Sequence, residues 1–149
     1  MSDRYIKPDW FTRTFFNPFV AAMTRLGVSV WGSRVLRVRG RKSGEMRSSP
    51  VNLLTFEGKR YLVAPRGHTQ WVRNIRVTHE GELWLGSKAE HIHVVELPDE
   101  AKVPLLRAYL KRWFFEVGVF FQGVNAEAPD SELRRIAPDH PVFEIQSSP

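Results

Sequence analysis

The chain has 149 residues, enough for one domain with a buried core, and its 42% hydrophobic content is that of a globular rather than a disordered protein. Its net charge of +6 favours an anionic partner, so nucleic acid, an anionic membrane surface and a phosphorylated small molecule all fit. The absence of cysteine excludes disulfides and thiolate chemistry, and no signal peptide or membrane-spanning run is recognisable, so we expect a single cytoplasmic domain over residues 1–149.

The N-terminal part of the chain predicts a helix over residues 10–27. Apolar side chains recur there at helical spacing, and Gly27 can end the helix. Pro18 should either kink this segment or start a second helix. The apolar face predicts core packing, with peripheral contact to a membrane surface as the alternative.

The rest of the chain predicts short strands interrupted by two helices. Strands are expected over residues 35–39, 50–56, 60–64, 82–85, 91–97 and 142–145. Thr69 can cap a short helix through residues 71–77, and Pro98 can start a longer one. The segment after the longer helix reads as loops. The sum is an α+β fold, with an antiparallel sheet of five or six strands that forms a small barrel with flanking helices.

The most specific feature of the sequence is a basic loop, residues 40–44, with Arg47 just beyond it. Glycines at both ends let the backbone approach a ligand and turn N–H groups toward an anion. Arg41 and Arg47 offer planar guanidinium groups, Lys42 an ammonium and Ser43 a hydroxyl. The segment lacks the spacing of a Walker A loop and leads into a strand. It predicts an anion site, and a solvated basic hairpin is the alternative.

A second feature is the turn at residues 64–67, which joins a predicted strand to a predicted helix. Backbone N–H groups at such a junction suit ring carbonyls or anionic oxygens. Trp71 can form the wall of a site for a flat ring, and Arg66 can add charge. The alternative is an ordinary turn followed by a core tryptophan.

Other chemistry is poorly supported by the sequence. His91 and His93 share a strand face, but no third ligand stands at a suitable spacing, so we expect no metal site. The serines of the basic segment lie on no nucleophile elbow, which argues against a hydrolase. Aromatic residues segregate into apolar segments instead of alternating with basic ones, which argues against nucleic acid.

Together, the basic loop and the turn resemble the deazaflavin-dependent nitroreductase family, within the flavin and deazaflavin oxidoreductases of split β-barrel, FMN-binding-like fold. In that family a Gly-Arg-x-Ser-Gly loop is followed by an arginine and a proline, and later by a Trp-x-x-Asn helix. The resemblance extends from about Leu36 to Trp113. It is carried by Gly40, Arg41, Ser43, Gly44, Arg47, Pro50, Trp71 and Asn74.

The resemblance implies coenzyme F420, a deazaflavin whose phospholactyl tail ends in several glutamates, and an F420H2-dependent oxidoreductase. The acceptor would be a quinone, a nitroaromatic or an enone. The tail would be held by Arg41, Lys42, Ser43, Gly44 and Arg47, with Pro50 nearby. The ring would be bordered by Trp71 and Asn74 and would receive backbone hydrogen bonds from Ala64, Pro65, Arg66 and Gly67. Because the cofactor carries the chemistry, no catalytic base is required, and candidate proton donors are Tyr61, His68 and Tyr109.

Two other readings stay open at this point. A related split-barrel protein could use FMN, although its single phosphate needs fewer cations than the sequence offers. The chain could also be a non-catalytic carrier of F420 or of an apolar ligand such as a fatty acid. The sequence departs from the resembled family in its bulkier turn and in the phenylalanines that replace acceptor-side tyrosines at residues 114–125. A homodimer and an actinobacterial source are further expectations.

Overall fold

The computed structural model describes residues 33–147, and the helix expected at residues 10–27 lies outside them. In this part of the chain, six antiparallel strands close into a barrel in the order β1–β2–β3–β6–β5–β4. Closure pairs both edges of the sheet, so no strand of the barrel is left with an open edge. The strands are β1 (Ser33–Arg39), β2 (Met46–Phe56), β3 (Lys59–Val63), β4 (Glu80–Leu85), β5 (Lys88–Glu96) and β6 (Val142–Ser147).

Within residues 33–147, three α-helices flank this barrel, which confirms the predicted α+β fold. They are α1 (Gln70–Thr78), α2 (Val103–Val117) and α3 (Asp130–Ile136). Short 3-10 turns cover Asp99–Ala101, Gly118–Phe120 and Ala137–Asp139.

Some predicted element boundaries were wrong. Pro98 does not start the long helix: it precedes a 3-10 turn, and α2 begins at Val103 with a proline in its first turn, where the missing N–H costs nothing. Helix α3 was read as a loop because its seven residues are too few to show a helical period. Thr69 does occupy the N-cap position of α1, but its hydroxyl forms no capping hydrogen bond.

Strand β2 is longer than the sequence indicated and begins at Met46 instead of residue 50. The basic loop is tight enough to return the chain directly into pairing with β1, where Met46 lies opposite Arg39. The last four residues before Pro50 are therefore strand, and they extend the wall of the barrel beside the loop.

Two apolar cores lie on opposite faces of the sheet. Every strand contributes to the core inside the barrel, where α1 closes one end with Trp71, Val72 and Ile75. The second core lies outside, where α2 and α3 pack on the outer face of β2, β3 and β6; its strand residues are Leu54, Tyr61, Val63 and Val142. Because successive strand residues face opposite sides, neighbouring residues of β2 and β3 belong to different cores.

The closing of the barrel by α1 can be tested with two β-branched residues of this helix. Ile75 is fully buried and Val77 is 62% exposed. Ile75→Ala should lower the free energy of unfolding by about 2–5 kcal/mol, because it leaves a cavity in the barrel core. Val77→Ala should change it by less than about 0.5 kcal/mol. Urea unfolding measures both, and equal losses would show that α1 does not seal this core.

Candidate functional site

An open groove of about 410 Å³, here called the basic groove, lies between the basic loop, β2 and α1. It brings together six of the residues that the sequence predicted for cofactor binding, which are Arg41, Lys42, Ser43, Arg47, Trp71 and Asn74. Its other lining residues are Val38, Gly40, Ser48, Ser49 and Gln70. The predicted residues Gly44, Pro50, Ala64, Pro65, Arg66 and Gly67 are not part of this lining.

The basic loop is held in shape by its own backbone. Gly40 N–H donates to the Glu45 carbonyl at 2.7 Å, and Gly44 N–H donates to the Gly40 carbonyl at 3.0 Å. Gly44 has a φ of 75°, which only glycine adopts without strain, and a Cβ on Gly40 would lie 2.8 Å from the Ser43 hydroxyl oxygen. The positive φ favours glycine at position 44, and a side chain at position 40 would displace the Ser43 hydroxyl.

The Ser43 hydroxyl also contributes to the loop. It accepts a hydrogen bond from Glu45 N–H at 3.1 Å, and its own proton stays available for donation into the groove.

Two side chains of α1, Asn74 and Gln70, tie the loop to the helix. Asn74 Oδ1 accepts hydrogen bonds from the Arg41 backbone N–H at 3.1 Å and from Arg41 Nη1 at 2.8 Å. Gln70 Oε1 accepts from the same Nη1 at 2.9 Å. Asn74 is 5% exposed, so its two bonds are partly shielded from water, whereas the bond to Gln70 is exposed. The sequence predicted that Asn74 borders a ring. The structure gives it a second role, because it also positions Arg41.

The groove carries positive charge that the described residues do not neutralise. Lys42 forms no ion pair among them, and Arg47 has only a distant contact with Glu45, with its Nη2 4.0 Å from Oε2. Both partners of that contact are mostly exposed, so it contributes little. No carboxylate is among the described lining residues. The groove is therefore suited to an anion.

Sequence reasoning missed Ser48, Ser49 and Gln70 as lining residues. The two serines were assigned to a loop because the strand was expected to begin at Pro50. Pro50 itself pairs with Val35 on β1. The two serines could have been predicted as lining residues if the strand pairing of residues 46–49 with β1 had been recognised.

The turn at residues 64–67 differs from its expected role as a set of backbone donors. Ala64 N–H donates to the Pro141 carbonyl at 2.9 Å, Gly67 N–H donates to the Ala64 carbonyl at 3.3 Å, and Pro65 has no N–H. The expectation was wrong for these three residues, because the segment just before β6 and the turn itself accept the hydrogen bonds of Ala64 and Gly67, and Pro65 has no N–H to offer. Gly67 has a φ of 90°, which keeps the turn compact.

His68 is buried, and both of its ring nitrogens are engaged. Nε2 lies 3.1 Å from the Pro138 carbonyl oxygen, and Nδ1 lies 3.0 Å from Arg76 Nη1. A guanidinium can only donate, so Nδ1 accepts and Nε2 carries the proton that it donates to Pro138. This arrangement favours the turn-stabilising role that was the alternative to proton transfer.

Tyr61 and Tyr109, the other candidate proton donors, lie in the outer core and not in the basic groove. Tyr109 is fully buried at the packed face of α2, and burial raises the pKa of its phenol far above the usual value. A raised pKa makes Tyr109 a weak acid at neutral pH.

A polar contact that the sequence did not predict lies beside Tyr109. Asn52 on β2 is 3% exposed, and its Nδ2 donates to Glu116 Oε2 on α2 at 2.9 Å. Ser33 Oγ donates to Asn52 Oδ1 at 3.3 Å. Burial raises the pKa of the Glu116 carboxyl, while Asn52 and Arg112 lower it by smaller amounts.

Two further observations concern metals and membranes. His91 Nε2 lies 2.8 Å from Glu80 Oε1 on the barrel surface, and its ring meets that of His93 edge-on. Within residues 33–147, no group of three histidine, cysteine, aspartate or glutamate side chains is arranged for a metal ion. The same part of the chain contains no helix long and apolar enough to cross a membrane.

Comparison with known proteins gives a match to one family and to several structures. Residues 11–117 match the model of the family described as F420H(2)-dependent quinone reductase. No curated protein matches the sequence.

Among solved structures, a domain-swapped dimer has 18% identity over 93% of this chain and 98% of its own, with a TM-score of 0.55. An F420-H2 dependent reductase has 18% identity over 77% of this chain and 94% of its own, with a TM-score of 0.51. General Stress Protein 26 from Bacillus anthracis str. Sterne has 12% identity over 84% of each chain, with a TM-score of 0.51. At such identities these structures support the barrel fold alone.

The tether between α1 and the basic loop yields a stability prediction. Asn74→Ala removes the acceptor from two part-buried donors of Arg41 and should lower the free energy of unfolding by about 1–3 kcal/mol. Gln70→Ala, which removes an exposed acceptor of the same guanidinium, should cost less than about 1 kcal/mol. Urea unfolding of the two variants tests this order, and a larger loss for Gln70→Ala would contradict it.

Proposed function

The chain belongs to the F420H(2)-dependent quinone reductase family, and on that premise we propose that the basic groove holds the phosphate and glutamates of its cofactor, coenzyme F420. Membership makes the protein an oxidoreductase that uses F420. The observation that carries the proposal is a groove with three cationic side chains, Arg41, Lys42 and Arg47, and no lining carboxylate among the described residues.

The residues present fit such a polyanion. Lys42 and Arg47 are exposed at the loop and can meet separate anionic groups. Arg41 is held by α1 through one amine group only, so the other N–H groups of its guanidinium stay available to an oxygen. The hydroxyls of Ser43, Ser48 and Ser49 add neutral donors along the same wall. Gly44 and Pro50 would act on the backbone. Gly44 permits the turn of the loop, and Pro50 restrains β2 beyond it.

We place the deazaflavin ring at the end of the groove where Trp71 and the turn at residues 64–67 meet. Trp71 is 9% exposed and packs against Phe143 with ring centroids 5.8 Å apart, which gives a rigid wall. The N–H groups of Ala64 and Gly67 already donate hydrogen bonds within the fold. This turn would therefore contact the ring by packing against it. Arg66 and Asn74 complete the proposed ring site.

When bound in its reduced form, F420 supplies a hydride to an acceptor. The chain holds the anionic tail, borders the ring and keeps water from the reacting groups. We propose a quinone as the acceptor, because the family is defined by quinone reduction; nitroaromatics and enones are the alternatives that a substrate screen distinguishes.

We propose that the chain forms a single domain. The family match over residues 11–117 supports this, because it extends across both the N-terminal segment and strands β1 to β5. A homodimer is proposed on the likeness to a structure described as a domain-swapped dimer.

The cation contribution can be measured directly. Lys42→Ala and Arg47→Ala should each weaken F420 binding by roughly tenfold, or about 1.4 kcal/mol, because each removes one charge that faces the tail. Lys88→Ala, which removes an exposed lysine at the start of β5, should leave the affinity unchanged. Fluorescence titration at constant ionic strength measures all three dissociation constants.

FMN serves as the competing ligand in the same titration. Tighter binding of FMN than of F420, or equal affinities for the Lys42, Arg47 and Lys88 variants, would contradict the proposal. Consumption of F420H2 with menadione as acceptor distinguishes a reductase from a carrier, which would bind F420 without turnover.

A further inference from the structure

Helix α1 makes polar contacts on two of its sides. On one side Asn74 holds the basic loop. On another side lie Arg73 and Arg76, which are three residues apart and both contact His68. His68 directly follows the turn at residues 64–67, which borders the proposed ring site. One helix therefore holds both the tail-binding loop and the segment beside the ring.

The two arginines hold His68 by its backbone and by its ring. Arg73 Nε donates to the His68 carbonyl at 2.9 Å, and Arg76 Nη1 donates to His68 Nδ1 at 3.0 Å. The other ring nitrogen, Nε2, donates to the Pro138 carbonyl at 3.1 Å. His68 is 1% exposed, so these contacts restrict the imidazole to one tautomer and one orientation.

Arg76 is itself anchored by a carboxylate at the end of β5. Its Nε and Nη2 donate to Glu96 Oε1 and Oε2 at 2.9 and 2.7 Å, which is a forked contact of two parallel bonds. The fork fixes the plane of the guanidinium, so that Nη1 meets His68. Glu96 also pairs with Phe143 of β6, and Phe143 packs on Trp71, the proposed wall of the ring site. The anchor therefore belongs to the same part of the barrel as that wall.

The value of this arrangement is geometric rather than energetic. The side chains of Arg76 and Glu96 are 27% and 34% exposed, so their ion pair alone adds little to stability. The turn is held at its start by the bond from Ala64 N–H to the Pro141 carbonyl at 2.9 Å, and at its end by His68. Without Arg76, the imidazole keeps its Nε2 bond but loses the contact that stops it from rotating about this bond. The end of the turn is then less precisely fixed.

We propose that Arg76, anchored by Glu96, is a positioning residue for hydride transfer, an inference that rests on the proposed function. It acts through His68, which keeps the turn at residues 64–67 in place beside the ring. Hydride transfer is sensitive to such placement, because a displacement of about 1 Å can lower a rate about 100-fold. Cofactor affinity depends mainly on the cations of the basic groove, so loss of Arg76 should affect the rate and not the affinity.

The test uses the full chain with Arg76→Met, which removes the guanidinium but keeps an unbranched apolar side chain. The matched control is Arg60→Met. Arg60 forms the same kind of forked contact with a glutamate of β5, Glu90, at similar exposure, and it lies near the start of β3, away from the turn.

Rapid mixing of F420H2-loaded protein with menadione measures the rate of hydride transfer. Arg76→Met should lower this rate about tenfold or more. Its F420 dissociation constant should stay within about threefold of the wild-type value, because a residue that acts on the placement of the ring changes the rate and not the binding of the tail. Arg60→Met should change neither quantity.

A double-mutant cycle tests whether Arg76 acts through His68. His68→Leu removes the Nδ1 acceptor, and adding Arg76→Met to this variant should lower the rate no further. An arginine that only stabilised the fold would give two losses that multiply. Glu96→Gln, which weakens the anchor at a partly exposed position, should lower the rate in the same direction and replaces the histidine variant if that one does not fold.

The contact itself can be observed without cofactor. In ¹⁵N NMR of the cofactor-free protein, the Nδ1 resonance of His68 should move in Arg76→Met, because Nδ1 loses its donor, and should stay in place in Arg60→Met.

The inference is overturned if Arg76→Met transfers hydride as fast as Arg60→Met, if it loses F420 affinity as much as rate, or if the losses in the cycle multiply. An unchanged Nδ1 resonance in Arg76→Met also overturns it. A wild-type chain that fails to bind F420 or to oxidise F420H2 contradicts the proposed function instead, and measurements on the wild type alone identify that outcome.

Discussion

The basic groove depends on one amide oxygen. Asn74 Oδ1 accepts from both the backbone and the side chain of Arg41, which lies 33 residues earlier, and it thereby fixes the loop against α1. Without this contact, the exposed bond from Arg41 Nη1 to Gln70 Oε1 would be left to hold the loop against α1. The contact also explains why the loop motif and the Trp-x-x-Asn motif occur together: they are the two halves of one hydrogen-bonded structure. Cations on a loop held in this way lose less conformational entropy when an anion binds.

The sequence allowed the barrel and much of the groove to be predicted, because both arise from local patterns. Alternation predicted the strands, and the glycine and cation spacing predicted the loop, so Arg41, Lys42, Arg47 and Trp71 were found. Prediction was less successful where long-range pairing decides the outcome. The amides of Ala64 and Gly67 were expected to face a ligand, but Ala64 bonds to the segment before β6, which no local pattern reveals. Asn52 and Glu116 meet only because α2 packs on the outer face of β2.

Strand β2 contributes both to the basic groove and to the contact with α2, and this limits how the chain can vary in length. Ser48 and Ser49 line the groove and Asn52 contacts Glu116, with a fixed number of residues between them. Deleting or inserting one residue within positions 49–52 would turn Asn52 to the inside of the barrel and remove it from α2. Related sequences are therefore expected to keep this spacing without gaps, while the turn at Gly86 and Ser87 is free to accept them.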